Sequence, residues 1–174
     1  AVGRTQTVLH LLAELRHSGA IPDVPVFLNS PMAISATEIM LAHRDEHRLS
    51  AQDCARLRDG VRFVHSTEDS KQLMTRSGPM IAVSASGMAT GGRVLHHLMR
   101  LLPDHRNLVL FTGFQAMGTR GAALLDGVDE VKIFGRQHPV RAEIQKLDGL
   151  SAHADRRELL AWLASGDLHP EQSF

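Results

Sequence analysis

The sequence predicts an α/β fold, a parallel sheet with helices on both faces. Two observations carry this. Short β-rich apolar runs alternate with amphipathic segments along most of the 174 residues, the pattern of strands joined by crossover helices. Three of those runs lead into loops rich in Gly, Ser or Pro, the composition of strand-to-helix turns.

Val8, Leu11, Leu12 and Leu15 fall at helical spacing, and Gly19 is a natural stop. Residues 24–28 then read as a short buried strand ending at Asn29-Ser30-Pro31. Ser35 and Glu38 are spaced as a capping box opening the next helix, with a polar far end at 43–48. Residues 61–65 are the second strand, 66–76 a short polar helix and 80–85 the third strand. After the loop 86–92, a helix carries Val94, Leu95, Leu98, Leu101 and Leu102 on one side. Residues 108–112 form a fourth strand, 117–125 a helix and 131–134 a fifth strand.

The last forty residues break this rhythm. Residues 140–147 alternate Val140, Ala142 and Ile144 with Arg141, Glu143 and Gln145, as a half-exposed strand does. Periodicity serves equally a strand completed by an absent partner domain and an ordinary sixth strand. The helix with Leu159, Leu160 and Leu163 that follows is capped by Asp155, with Glu158 closing a capping box.

Composition narrows function by exclusion. The formal charge is zero, so any polyanion site must be local. No apolar run approaches the roughly 18 residues needed to span a bilayer. The single cysteine, Cys54, cannot form an internal disulfide and fits a reducing cytoplasm. Tyrosine is absent and aromatics make up 4%, a poor supply of stacking platforms for bases. The start at Ala1, without an initiator methionine, is expected of a piece cut from a longer chain.

In a parallel sheet, ligands collect beyond the carboxyl ends of the strands. Asn29-Ser30-Pro31-Met32-Ala33 lies there, as a proline-punctuated turn. So does Ser84-Ala85-Ser86-Gly87-Met88-Ala89-Thr90-Gly91-Gly92-Arg93, whose glycines suit a tight turn or a phosphate cradle. It is neither a P-loop nor a dinucleotide G-x-G-x-x-G. The third loop carries Gly118-Thr119-Arg120-Gly121, where Arg120 suits bidentate phosphate contact. A solvated arginine there would sit unfavourably against the helix dipole.

His43-Arg44-Asp45-Glu46-His47 spells H-x-x-E-H, which on a helix puts both histidines on one face. Its polar surroundings and the lack of a third ligand argue against a metal. The adjacent His96 and His97 diverge on a helix and read as surface or interface residues. No three ligands can be assembled from the sequence, so no zinc is expected in this chain. His153 sits in the turn before the last helix, either an exposed loop residue or a functional one.

Taken together, Gly3-Arg4-Thr5-Gln6, Ser30-Pro31-Met32-Ala33, Ser86-Gly87-Met88, Thr90-Gly91-Gly92-Arg93, Gly118-Thr119-Arg120-Gly121 and Ser151-Ala152-His153-Ala154-Asp155 resemble the β-CASP family of metallo-β-lactamase-fold RNA-processing nucleases. The order is right and nearly the whole chain is covered. The resemblance implies a Rossmann-like β-CASP domain over 1–138 and, over 139–174, a short strand-helix piece of a metallo-β-lactamase domain. That domain, lying mostly outside this chain, would hold two zinc ions that activate water against an RNA phosphodiester. No H-x-H-x-D-H occurs here; of the active-site motifs only His153, motif B, is present. The family usually has Asp where this chain has Asn29. The resemblance thus implies the RNA-clamping half of a cytoplasmic zinc-dependent ribonuclease, inactive alone. Arg4, Ser86, Gly87, Arg120 and Ser151 would contact the RNA backbone and His153 the scissile phosphate. Expected partners are RNA, the remaining metallo-β-lactamase domain of the same polypeptide and a second copy in a homodimer, with no membrane. The rival readings are a stand-alone nucleotide-binding module and an interaction domain.

Overall fold

The computed structural model describes residues 3–150 and 154–165. Its elements are α1 (Arg4–His17), β1 (Val26–Leu28), α2 (Pro31–Ala42), a 3₁₀ turn (Arg44–Glu46), α3 (Ala51–Gly60), β2 (Val61–Phe63), α4 (Thr67–Thr75), β3 (Ile81–Val83), α5 (Val94–Leu101), β4 (Leu108–Phe111), α6 (Arg120–Leu125), β5 (Glu130–Ile133), β6 (Arg136–Pro139), β7 (Glu143–Lys146) and α7 (Arg156–Ala164). The architecture is α/β with a parallel sheet of order β2-β1-β3, as the alternating pattern predicts. β4 pairs in parallel with β7, and β5 with β6 in an antiparallel hairpin. Among the described residues no helix is long and apolar enough to cross a membrane.

Strand β1 is buried on both faces, as the centre of a helix-covered sheet must be. Val26 and Leu28 point into one core with Leu9, Ile34, Cys54 and Leu57 from α1, α2 and α3. Phe27 points the other way, against Val64 and Leu73. A separate core joins Leu95, Leu98 and Leu102 to Phe111, Leu124, Val131 and Ile133. Leu9, Leu28 and Leu57 are wholly buried, each stabilising the fold by about 1.5–3 kcal/mol.

Several expectations are corrected. The second helix is opened by Ser30, whose hydroxyl accepts from Ala33 N–H, with Pro31 at its first position. Ser35 therefore lies inside the helix, and the pairing with Glu38 is not a cap: the proline with its fixed φ governs the start. Helix α3 has no counterpart in the expected elements because its only buried apolar residues are Cys54 and Leu57. A Ser50–Asp53 capping box starts it. Phe134 belongs to a turn, not a strand. With Gly135 it has positive φ, 47° and 80°, the two-residue hairpin geometry that matches strand twist. The alternating 140–147 run finds its partner within the chain, in β4. The Asp155–Glu158 box on α7 forms as expected.

One polar hub joins the carboxyl ends of the strands. Asn29, fully buried just after β1, accepts at Oδ1 from Arg93 Nη1 at 2.9 Å. Its amide donates to Ser70 Oγ at 3.0 Å and lies 2.9 Å from His97 Nε2. An amide nitrogen can only donate, so His97 Nε2 accepts and its proton sits on Nδ1. Arg93 also reaches the carbonyls of Val64 (2.8 Å) and His65 (3.0 Å), beyond β2. Ser84 beyond β3 donates to Asn29 O at 3.0 Å. His97 is thus a buried residue, against the surface expectation: the helix turns it into the hub. His96 stays exposed against the Phe134 ring.

Burial, then the charges of Arg100 and His96, push the His97 pKa down to about 4 from 6.5. Unfolding takes up a proton between those values, so this contribution is full above about pH 6.5 and lost as pH falls toward 4. It is on the order of 3 kcal/mol. Urea unfolding across this window should show stability falling with acid, and His97→Gln, which keeps an acceptor for Asn29, should flatten that slope. An unchanged slope would mean that another group titrates.

Candidate functional site

Beyond the hub, the long loops after β3 and β4 form one wall. In the first, Ser86 and Ala89 adopt positive φ, 71° and 54°, a conformation costly for residues with a Cβ. The Ser86 hydroxyl accepts from Gly91 N–H at 3.2 Å and lies 3.4 Å from Thr90 Oγ1, while Ala89 is wholly buried. The second loop is bonded onto the first: Gln115 Nε2 donates to Gly87 O at 2.7 Å, and Gly121 N–H to Met88 O at 3.0 Å. Thr119 caps α6 through Ala122 N–H.

Arg120, the first residue of α6, staples this wall. Its Nη1 donates to Ala89 O and its Nε to Lys132 O at 2.9 Å. The guanidinium is therefore drawn off the helix start toward carbonyls, which relieves the dipole misfit the sequence implied. Two of its five donors are engaged. Arg4 works similarly at the start of α1. Its Nε donates to Leu150 O at 3.1 Å, and its guanidinium lies against the backbone of Gly113, where a Cβ would collide with it.

Four of the sequence-predicted residues, Arg4, Ser86, Gly87 and Arg120, thus stand on one connected set of loops. Gly87 is exposed and the other three half-buried. Ser151 and His153 lie outside the described residues; Leu150, held by Arg4, immediately precedes them. Arg93 and Gln115 went unnoticed as positioning residues. Arg93 ends a Gly-Gly-Arg run at a helix start, a signal that could have raised it.

The H-x-x-E-H pattern makes no metal site. α2 ends before His43, so the histidines do not share a helical face. His47 Nε2 donates to Met40 O at 3.0 Å, and its Nδ1 accepts from Leu49 N–H at 3.3 Å. Elsewhere the fold brings together three side chains that could hold an ion. Ligand atoms of His10, Glu14 and Asp53 lie within 4.8 Å of one another. The i, i+4 spacing of His10 and Glu14 was legible; Asp53 was not, because it arrives on the unforeseen α3.

Residues 5–124 match the Beta-Casp domain family, and residues 137–167 match the family described as Zn-dependent metallo-hydrolase RNA specificity domain. Among similar proteins is Ribonuclease TTHA0252 of Thermus thermophilus, 38% identical over 94% of this chain and 39% of its own length. Transcription termination factor FttA of Methanosarcina mazei is 32% identical over 100% of this chain and 29% of its own length. An RNase J-like protein of Methanocaldococcus jannaschii is 31% identical over 94% of this chain and 38% of its own. The chain therefore spans less than two-fifths of the length of these relatives. With the first match covering most of the residues and the loop wall built from the motifs named above, the chain belongs to the β-CASP family.

Proposed function

We propose that this chain is the RNA-clamping half of a zinc-dependent ribonuclease that hydrolyses phosphodiester bonds. The observation that carries this reading is the loop wall, fastened by Arg4 to the residue before Ser151 and His153. A hydroxyl, glycine backbone and two arginines suit a phosphate backbone whose bases are not read. In this reading Arg4, Ser86, Gly87, Arg120 and Ser151 contact that backbone, and His153 the scissile phosphate. The match of residues 137–167 to an RNA specificity domain, and the names of the relatives, support it.

The proposed division is a β-CASP domain over 1–138 and a return toward a metallo-β-lactamase domain over 139–174. Helix α7 supports it: Leu159, Leu160, Trp162 and Leu163 are all about half exposed or more, a cluster that ordinarily marks a covered surface. Two zinc ions in that domain would supply the activated water. The wall residues are not zinc ligands and the H-x-H-x-D-H motif is absent from this sequence, so no step through zinc is assigned to them. Work in the cytoplasm is part of the proposal, consistent with Cys54 being buried and free.

The 174-residue chain should bind single-stranded RNA with strong salt dependence and leave it uncut; cleavage by carefully purified chain would defeat the reading. Arg120→Ala should weaken RNA binding nearly uniformly across sequences. Its log–log salt slope should flatten by about 0.7 for each phosphate charge no longer neutralised. Weakening confined to one sequence would make Arg120 a base reader instead. In the parent enzyme, His153→Ala should lower the single-turnover rate by roughly 10²-fold or more while zinc content holds. Loss of zinc together with activity would make His153 a ligand rather than a phosphate-binding group.

A further inference from the structure

Helices α1 and α3 pack side by side and bring together a group the RNA reading does not use. His10 and Glu14 are one helical turn apart on α1, and Asp53 lies in the first turn of α3. Their candidate ligand atoms are within 4.8 Å of one another. A tetrahedral ion with bonds of about 2.0–2.1 Å wants its ligands roughly 3.3 Å apart, so modest side-chain rotation would close the set.

Each carboxylate is already oriented by one of its oxygens. Asp53 Oδ2 accepts from Ser50 N–H at 2.9 Å and from Ser50 Oγ at 2.7 Å. Glu14 Oε1 accepts from Arg56 Nη1 at 2.8 Å. Such outer bonds hold metal-ligating carboxylates in place and leave the other oxygen for an ion. His10 contributes an independent sign. It is half-buried, and its Nδ1 is shut off from solvent with no hydrogen-bond partner, an arrangement that costs free energy unless something satisfies the ring. The Glu14 and Asp53 side chains are partly exposed, which gives an ion an entry path from solvent.

The Arg56 guanidinium stands at the edge of the cluster, 3.7 Å from Asp53 Oδ1, with its Nη2 3.1 Å from His17 Nε2. The cluster is therefore built to hold positive charge, and Arg56 partly supplies it. An incoming ion competes with that charge, which places its affinity below that of a dedicated structural site.

We propose that His10, Glu14 and Asp53 form a zinc site that ties α1 to α3, with water completing the coordination. One imidazole with two carboxylates suits Zn²⁺ better than Mg²⁺ or Ca²⁺, which favour all-oxygen shells. The proposal does not rest on the RNA reading, and it replaces the expectation of a chain without metal, since that expectation assumed three ligands could not converge.

Calorimetric titration of the 174-residue chain with Zn²⁺, and absorption spectra with Co²⁺, test it directly. One equivalent of Zn²⁺ should bind at micromolar levels and raise the thermal midpoint, and Co²⁺ should give a visible band. His10→Ala should weaken binding at least tenfold. So should Asp53→Asn, which retains an acceptor for the Ser50 cap and guards against misreading an unfolded variant. The chain has eleven histidines, so adventitious binding is a real outcome. No saturable Zn²⁺ binding, or binding equal to wild type in both His10→Ala and Asp53→Asn, would overturn the proposal.

Discussion

The amide of Asn29 is the constraint on which the rest of the crest depends. A fully buried side-chain amide must place its donors and acceptor or lose about 1–3 kcal/mol for each group left unpaired. Here every placement is also a connection: Arg93 to α5 and the end of β2, Ser70 to α4, and His97 to α5. The ends of β1 and β2 and the helices α4 and α5 are thereby held in one register, and Ser84 adds the end of β3 through Asn29 O. The family's usual Asp at this position would bring a negative charge beside Arg93 and offer no donor to His97. With Asn the only formal charge in the hub is that of Arg93, and a neutral His97 is what the amide requires.

From this hub the loops inherit their shape. Ser84 is tied to Asn29 O and Arg93 to the ends of β1 and β2, so the loop between them has both ends fixed. Between fixed ends the chain takes left-handed φ at Ser86 and Ala89, costs of order 1 kcal/mol or more that persist only when the surroundings over-determine them. The surroundings here are the second loop: Gln115, Gly121 and Arg120 each bond a carbonyl from Gly87 to Ala89. The strain sits in the wall proposed to face RNA, and the bonds that offset it come from Gln115 in the second loop and from Arg120 and Gly121 at the start of α6.

Much of this was legible in the sequence because it obeys local rules. Residues 24–28 read as a short buried strand, and Asp155 with Glu158 read as a cap, because an apolar run ending at a turn and a three-residue spacing are sufficient signals. The rest was hidden for stated reasons. Helix α3 buries only two apolar residues, Cys54 and Leu57, three apart, and their burial is decided by partners on α1 and β1 that no local window contains. β6 is Arg-Gln-His-Pro, a strand only because the Phe134–Gly135 turn folds it onto β5. Of the candidate site, the residue types in the Gly-rich loops were visible, but their joining across Gln115 and Arg120 is tertiary. His97 looked like half of a surface pair because adjacency on a helix says the two histidines diverge, without saying which one turns inward.

Arg120 shows why a residue type alone does not decide a role. As a free arginine at a helix start it would suffer the helix dipole, and a phosphate was the simplest compensation to infer. The fold supplies another, the carbonyls of Ala89 and Lys132, and uses it to hold a strained loop. The two roles are compatible, since a planar guanidinium can bond carbonyls along one edge and present its remaining N–H groups on another. Stapling also fixes the fork in advance, so less side-chain entropy would be lost in the proposed phosphate contact. A flexible lysine that braced both carbonyls would keep one N–H on the same nitrogen, whereas the arginine keeps three on a fixed fork, which is a physical reason for arginine at this position.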